Sequence, residues 1–81
     1  MCYAYILQSI NHSEQLYRGH TADLKQRVSE HNHGNCPHTS KFLPWKIKFY
    51  AAFETLKLAQ QFERYLKSGS GHAFANRHLG T

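Results

Sequence analysis

Two short runs near the start of the chain alternate between side chains suited to opposite faces of a sheet. Residues 3–9 are rich in aromatic and branched types, and residues 15–19 return as a second short strand. Residues 11–13 between them are Asn-His-Ser, which favour a turn. We therefore predict an antiparallel hairpin in which Tyr5 and Tyr17 lie opposite each other, within about one residue of register and on the same face.

The rest of the chain carries alternating helix and strand signals, without repeats, low-complexity tracts or linkers. With the hairpin, these signals predict one α+β domain over residues 1–81, a three-stranded antiparallel sheet flanked by helices in the order β-β-α-β-α-α. The first predicted helix begins at its N-cap Thr21, has Asp23 in its first turn and ends at Asn32. A loop over 34–45 and a strand over 46–54 follow. The second helix runs from its cap Thr55 to Lys67 and stops at 68–71, and a short last helix covers His72 to Leu79.

Length and composition exclude several classes of protein. Eighty-one residues leave room for one small core, and a hydrophobic share of 41% is too high for intrinsic disorder. No apolar run is long enough to span a membrane, and residues 1–7 lack the features of a signal peptide, so we expect a soluble cytoplasmic protein. Cys2 and Cys36 form no CxxC pair and are expected to be reduced.

The chain is basic, with ten Lys and Arg residues against five Asp and Glu residues and a formal charge of +5. On a chain of this size the excess of positive charge indicates a polyanionic partner, and nucleic acid is the partner we expect. The candidate phosphate contacts outside any catalytic cluster are Arg18, Lys25, Lys41 and Lys46.

Two predicted helices carry polar side chains on the stripes that should face the sheet. In the first helix, Arg27 and His31 continue the stripe that begins at Leu24. In the second, Glu63 lies four residues after Ala59 on the buried stripe. A carboxylate there is costly unless it is paired, hydrated or bound to a cation. An Arg27–Glu63 ion pair would explain it structurally, and a functional site is the alternative.

Tyr5 and Tyr17 add two phenols to the same side of the predicted sheet. Tyrosines on strands are usually core residues with one polar end, so each alone has an ordinary structural explanation. Together with Arg27, His31 and Glu63, however, they form a polar cluster that an apolar core would not favour. A cation, a carboxylate and a weak acid are the groups that metal-assisted phosphodiester hydrolysis requires.

Several blocks of the sequence stand at the spacing of one known family. They are Tyr5 with its neighbours, the run Tyr17-Arg18-Gly19-His20-Thr21, then Arg27 and His31, and later Phe62-Glu63-Arg64-Tyr65-Leu66-Lys67-Ser68-Gly69 with Asn76 beyond it. On these blocks the chain resembles the GIY-YIG nuclease superfamily over nearly its whole length, in particular its small stand-alone bacterial members. The chain departs from the family pattern at Ala4, where the family has glycine, and at Arg18, where the usual residue is apolar.

The resemblance implies a DNA endonuclease that uses one divalent ion, Mg²⁺ or Mn²⁺. It implies Arg27 as the phosphate contact and Glu63 as the metal ligand, while Tyr5 orients water or phosphate. Tyr17, with His20 or His31, would take the proton from the attacking water, and which of them is the base stays open. The residues that the resemblance implies for the catalytic site are Tyr5, Tyr17, His20, Arg27, His31 and Asn76.

Two other interpretations remain open at this point. A structural zinc site is one, because His31, His33, Cys36 and His38 fall within eight residues. The other is a nucleic-acid-binding module without catalytic turnover, which the basic charge alone would support. The sequence also leaves open whether the substrate is single-stranded or duplex, and whether a homodimer or a separate partner directs the protein to it.

Overall fold

A three-stranded antiparallel sheet forms the centre of the protein, whose computed structural model describes residues 1–79. Its strand order is β2-β1-β3, so β1 is central and β2 and β3 are the edges. The elements follow one another in the predicted order β-β-α-β-α-α, and the predicted α+β fold class is confirmed. Their bounds are β1 Cys2–Ser9, β2 Leu16–Thr21, α1 Leu24–Asn32, β3 Trp45–Phe53, α2 Leu56–Lys67 and α3 Gly69–Leu79, with a 3₁₀ turn at Ser40–Phe42 before β3.

Both faces of the sheet are covered, because successive residues of β1 point in opposite directions. Ala4 and Ile6 pack with Leu66 of α2 in one core cluster. Tyr5 and Leu7 pack with Trp45 in a second cluster on the α1 side. The central strand is therefore buried on both faces, and a polar side chain on it, such as that of Tyr5, must find its partners inside the protein.

The hairpin register differs from the prediction by two residues. Tyr5 lies opposite Gly19, and Tyr17 lies opposite Leu7. Because the offset is even, both tyrosines still point to the same face, as predicted. Their ring centroids are 6.3 Å apart, so they are diagonal neighbours.

The first helix is capped by Asp23 and not by Thr21. The Asp23 carboxylate accepts a hydrogen bond from the backbone N–H of Gln26 at 3.0 Å. Thr21 instead ends β2, where it pairs with Tyr3. The predicted cap at Thr55 is confirmed, since its hydroxyl accepts from the backbone N–H of Leu58.

The last helix begins at Gly69, three residues before its predicted start. The Gly-Ser run reads as a break, but the Ser68 hydroxyl accepts a hydrogen bond from the Gly71 backbone N–H at 3.2 Å and so caps the helix. A Cβ at Gly71 would lie 1.9 Å from the carbonyl oxygen of Tyr65, so glycine lets α3 begin directly against the end of α2. Residues 80 and 81 of the predicted domain lie outside the described residues.

Among residues 1–79 no helix combines the length and the apolar character that crossing a membrane would need.

Candidate active site

A cavity of about 490 Å³ opens at the outer edge of β2. Because β2 is an edge strand, side chains from both faces of the sheet reach this cavity. The α1 face contributes the tyrosines and Arg27, and the opposite face contributes His20 and Glu63. The residues that line it are Tyr5, Tyr17, Gly19, His20, Thr21, Arg27, Glu30 and Glu63.

A buried hydrogen-bond chain starts at Tyr5, whose side chain is 1% exposed. The Tyr5 hydroxyl lies 3.1 Å from Nε2 of His31, and Nδ1 of His31 lies 2.9 Å from the Thr39 hydroxyl. Thr39 donates its own proton to the Cys36 carbonyl, so it accepts from His31. Nδ1 of His31 therefore carries the hydrogen, and Nε2 accepts the proton of the Tyr5 hydroxyl.

Burial sets the ionisation of both rings in this chain. Burial and the nearby Arg27 charge hold the pKa of His31 below its ordinary value, so the ring is neutral at pH 7. Burial raises the pKa of Tyr5 to about 12 and outweighs the Arg27 guanidinium, which lowers it. Tyr5 is therefore a neutral hydrogen-bonding group in the cavity wall. His31, with both ring nitrogens engaged, has none left for water.

Gly19 leaves the space that the Tyr5 hydroxyl occupies. A Cβ at position 19 would lie 2.6 Å from the Tyr5 hydroxyl oxygen and 3.1 Å from a ring carbon of Tyr17. Because Gly19 has no side chain, the Tyr5 ring can lie over the backbone of β2, and its hydroxyl can reach the cavity.

Arg27 pairs within its own helix. Its guanidinium donates to the Glu30 carboxylate at 3.0 Å, one turn further along α1, and both side chains are 35% exposed. Hydrogen bonds to Glu30 and Tyr5 raise the pKa of Arg27, so it stays charged. The structure does not contain the Arg27–Glu63 ion pair considered from the sequence.

Glu63 lies between His20 and Lys67, and its side chain is 15% exposed. Its Oε1 accepts from Nδ1 of His20, and its Oε2 lies 2.6 Å from the Lys67 ammonium. Burial raises the pKa of Glu63, but the hydrogen bonds from Lys67 and His20 outweigh it, and the pKa lies below its ordinary value. Glu63 is thus ionised at neutral pH.

His20 is the imidazole that reaches the open part of the cavity, with its side chain 33% exposed. An ionised carboxylate only accepts hydrogen bonds, so Nδ1 of His20 carries a hydrogen toward Glu63. In the neutral ring Nε2 then holds the lone pair. A histidine whose Nδ1–H donates to a carboxylate is suited to accepting a proton at Nε2.

The remaining predicted site residues lie elsewhere. Asn76 lines a separate cavity on the α2–α3 face, together with Arg18. Lys25 is exposed on α1 beside a third cavity lined by Tyr3 and Tyr50, while Lys41 is in the 3₁₀ turn and Lys46 at the start of β3. One cavity thus contains five of the predicted site residues: Tyr5, Tyr17, His20, Arg27 and Glu63. His31 does not line it but bonds to the Tyr5 hydroxyl, and Asn76 is not among its lining residues.

A zinc site at the predicted residues finds no support. Residues 1–79 contain no group of three or more His, Cys, Asp or Glu side chains placed to hold a metal ion. His31 uses both ring nitrogens for Tyr5 and Thr39, and His33, which caps the end of α1, contacts Ser29 of that helix. Cys2 and Cys36 are free, as expected.

The divalent ion that the resemblance implies would rest on the carboxylates of this cavity and on water or substrate oxygens, because residues 1–79 contain no group of three or more His, Cys, Asp or Glu side chains placed to hold a metal ion. A carboxylate offers about four lone-pair positions, and Glu63 uses one on each oxygen for His20 and Lys67. Glu30 brings a second carboxylate to the same cavity. Mg²⁺ and Mn²⁺ prefer such hard oxygen donors and commonly take only one or two carboxylates, with water and substrate oxygens completing the shell.

Sequence reasoning missed four residues of this site: Gly19, Glu30, Thr39 and Lys67. Glu30 did carry a local signal, because Arg27 and Glu30 stand three residues apart, a spacing that pairs opposite charges on a helix. Glu63 and Lys67 stand four apart and carry the same signal. No local pattern points to Thr39, because it meets His31 only through the tertiary fold.

Comparison with known proteins agrees with the resemblance stated from the sequence. UPF0213 proteins from Streptococcus pyogenes serotypes M3, M1 and M4 are each 33% identical to this chain over 66 residues, which cover 80% of this chain and 70% of theirs. No solved structure gives a significant match. The family model of the GIY-YIG catalytic domain matches residues 1–76 of this chain. A match over nearly the whole of so short a chain settles its membership, and the chain belongs to the GIY-YIG family.

Proposed function

We propose that this protein is a divalent-metal-dependent endonuclease that hydrolyses phosphodiester bonds in DNA. One observation carries the proposal: a single cavity at the edge of β2 brings together a guanidinium, a carboxylate, an imidazole and two phenols. These groups can bind a phosphodiester, hold a cation and accept a proton within one site. Membership of the GIY-YIG family supports nucleic acid as the substrate.

Arg27 is the proposed phosphate contact. A guanidinium has five donors, and the bond to Glu30 leaves others for a non-bridging phosphate oxygen. Its charge persists at any working pH because the hydrogen bonds to Glu30 and Tyr5 raise its pKa. The Tyr5 hydroxyl, held by His31, lines the same cavity and orients phosphate or water.

His20 is the proposed proton acceptor. Its Nδ1 is held by Glu63, and its Nε2 is available to take a proton from the attacking water. His31 is fully buried and cannot contact water. Tyr17 also lines the cavity, and its phenol is a hydrogen-bond donor and acceptor. Tyr17 therefore contributes a hydrogen bond beside the attacking water.

Glu63 is the proposed metal ligand. A bound Mg²⁺ or Mn²⁺ would supply positive charge at the scissile phosphate. Glu63 is suited to hold it because the carboxylate is ionised and faces a cavity that contains a second carboxylate.

A non-catalytic nucleic-acid-binding module is the alternative function, and one observation favours it. Both oxygens of Glu63 already accept a bond, one from His20 and one from Lys67, so a metal ion must share the carboxylate with them. A protein of that kind would bind DNA through the same basic side chains and leave it intact.

The test is cleavage of labelled single-stranded DNA, duplex DNA, branched DNA and RNA with Mg²⁺, Mn²⁺ or EDTA. We expect cleavage of a DNA substrate with a metal ion and none with EDTA. Glu63→Gln should reduce the rate by several orders of magnitude, while DNA affinity is unchanged or higher because one negative charge is lost. Glu54→Gln, at an exposed glutamate, is the matched control and should cut normally.

Two results would contradict the proposal. Binding of every substrate without cleavage under any metal condition would favour the non-catalytic module. Near-normal cleavage by folded Glu63→Gln would remove Glu63 from the metal site.

A further inference from the structure

A second cavity, of about 380 Å³, lies on the opposite face of the sheet from Tyr5 and Tyr17. Arg18 reaches it from β2, where it stands opposite Ile6 of β1. The lining is predominantly polar and includes the hairpin turn and one side of α3. The residues that line it are Gln8, Ser13, Glu14, Leu16, Arg18, His72 and Asn76.

Arg18 is an uncompensated cation. Its Nε is buried and has no hydrogen-bond partner among residues 1–79, and no carboxylate of these residues forms an ion pair with it. Burial lowers the pKa of Arg18, and no acidic neighbour within residues 1–79 raises it again. A desolvated charge without a partner destabilises the folded protein, so the position of this arginine needs a functional or structural reason.

The surroundings of Arg18 suit an anion. His72 and Asn76 are four residues apart on α3 and so present donor groups on one side of the helix. Gln8 adds an amide from β1. Glu14 contributes a carboxylate to the lining, but its side chain is 69% exposed at the turn, 4.0 Å from His12.

We propose that the Arg18 cavity binds a phosphate group of the substrate strand, outside the cleavage site. This inference rests on the proposed function. Arg18 and His20 point to the same face of β2 two residues apart, about 7 Å along the strand. The edge of β2 thus leads from the proposed catalytic site to Arg18. A planar guanidinium with free donors recognises phosphate oxygens through charge-assisted hydrogen bonds.

The first experiment measures thermal stability with and without inorganic phosphate. In phosphate-free buffer Arg18→Met should melt at the same temperature as the wild type or higher, because the uncompensated charge is gone. Phosphate should raise the melting temperature of the wild type by several degrees, and that of Arg18→Met by clearly less. Arg77→Met removes an exposed arginine of α3 and should respond to phosphate like the wild type.

NMR of the wild type provides a measurement that does not depend on the variant folding. Phosphate should shift the Arg18 Nε–H signal and the backbone signals of His72 and Asn76. If these signals stay in place while those of the Arg27 cavity move, phosphate binds only at the other site and the inference is overturned. Equal stabilisation of wild type and Arg18→Met by phosphate would overturn it as well.

Oligonucleotides identify the source of the phosphate. In a Glu63→Gln background, Arg18→Met should weaken DNA binding by roughly tenfold. If the loss is the same with and without a terminal phosphate, the cavity holds an internal backbone phosphate. If only the terminally phosphorylated strand is affected, it holds the strand end. No loss with either strand would overturn the inference.

These measurements do not depend on catalysis. If phosphate binds at Arg18 but the wild type cuts no substrate, the proposed nuclease function fails and the anion site stands. If the wild type cuts DNA and Arg18→Met changes neither phosphate nor DNA binding, only the anion site fails.

Discussion

Gly19→Ala tests whether the absence of a side chain opposite Tyr5 shapes the cavity at the edge of β2. The new Cβ would lie 2.6 Å from the Tyr5 hydroxyl oxygen and 2.8 Å from the ring carbon that bears it, inside van der Waals contact. Tyr5 can move away only by giving up its buried position and its hydrogen bond to His31, because the residue is 1% exposed and bonded to that ring. The backbone at Gly19 is not left-handed, so the effect comes from packing and not from backbone strain.

The magnitude follows from three contributions. Overpacking of a buried site costs about 1–3 kcal/mol. Loss of the Tyr5–His31 hydrogen bond adds about 1 kcal/mol. The reduced entropy of the unfolded chain offsets about 0.5–1 kcal/mol. We expect a net loss of about 1–3 kcal/mol, which lowers the melting temperature of a domain of this size by roughly 5–20 °C.

Three measurements check this prediction. Urea unfolding gives the stability, NMR of ring-labelled tyrosine follows the pKa of Tyr5, and the cleavage assay gives the activity. The pKa of Tyr5 should move down from about 12 as its ring leaves the buried position. Gly69→Ala is the control, since a Cβ there meets nothing within 4 Å. If Gly19→Ala is as stable as Gly69→Ala and the pKa of Tyr5 is unchanged, the reasoning is wrong.

Two further predictions concern pH and salt. The pKa of His31 is lowered in the folded protein, so the free energy of unfolding should fall as the pH drops below about 6.5, and His31→Gln should lose that part of the pH dependence. Equal slopes for both proteins, measured by urea unfolding across this range, would contradict the neutral buried ring. DNA affinity should fall steeply with salt, and Ala at Lys25, Lys41 or Lys46 should each reduce the log–log slope by about 0.7–0.9, as measured by fluorescence anisotropy. A lysine whose removal leaves the slope unchanged does not contact phosphate.

Local patterns in the sequence were sufficient for the elements and their order. Alternation in the first residues predicted the hairpin, and helical stripes placed Arg27, His31 and Glu63 on the inner sides of α1 and α2. Local patterns failed where two signals compete. Thr21 and Asp23 are both good helix-capping residues. Thr21 pairs with Tyr3 in the sheet, so Asp23 is the residue that caps the helix. Ser68 and its glycines suggest a break, but the serine begins the next helix.

The sequence by itself determined which groups are available and which residues share a face, because helix and strand periods depend only on local backbone geometry. The tertiary structure decided which of those groups meet. An edge strand brings Glu63 and Tyr5 from opposite faces of the sheet to one cavity. Contact with Thr39 sets the tautomer of His31, and contact with Lys67 and His20 keeps Glu63 ionised. Hydrogen bonds and charge interactions act over a few ångströms, so their outcome depends on the relative placement of distant segments, which no local pattern contains.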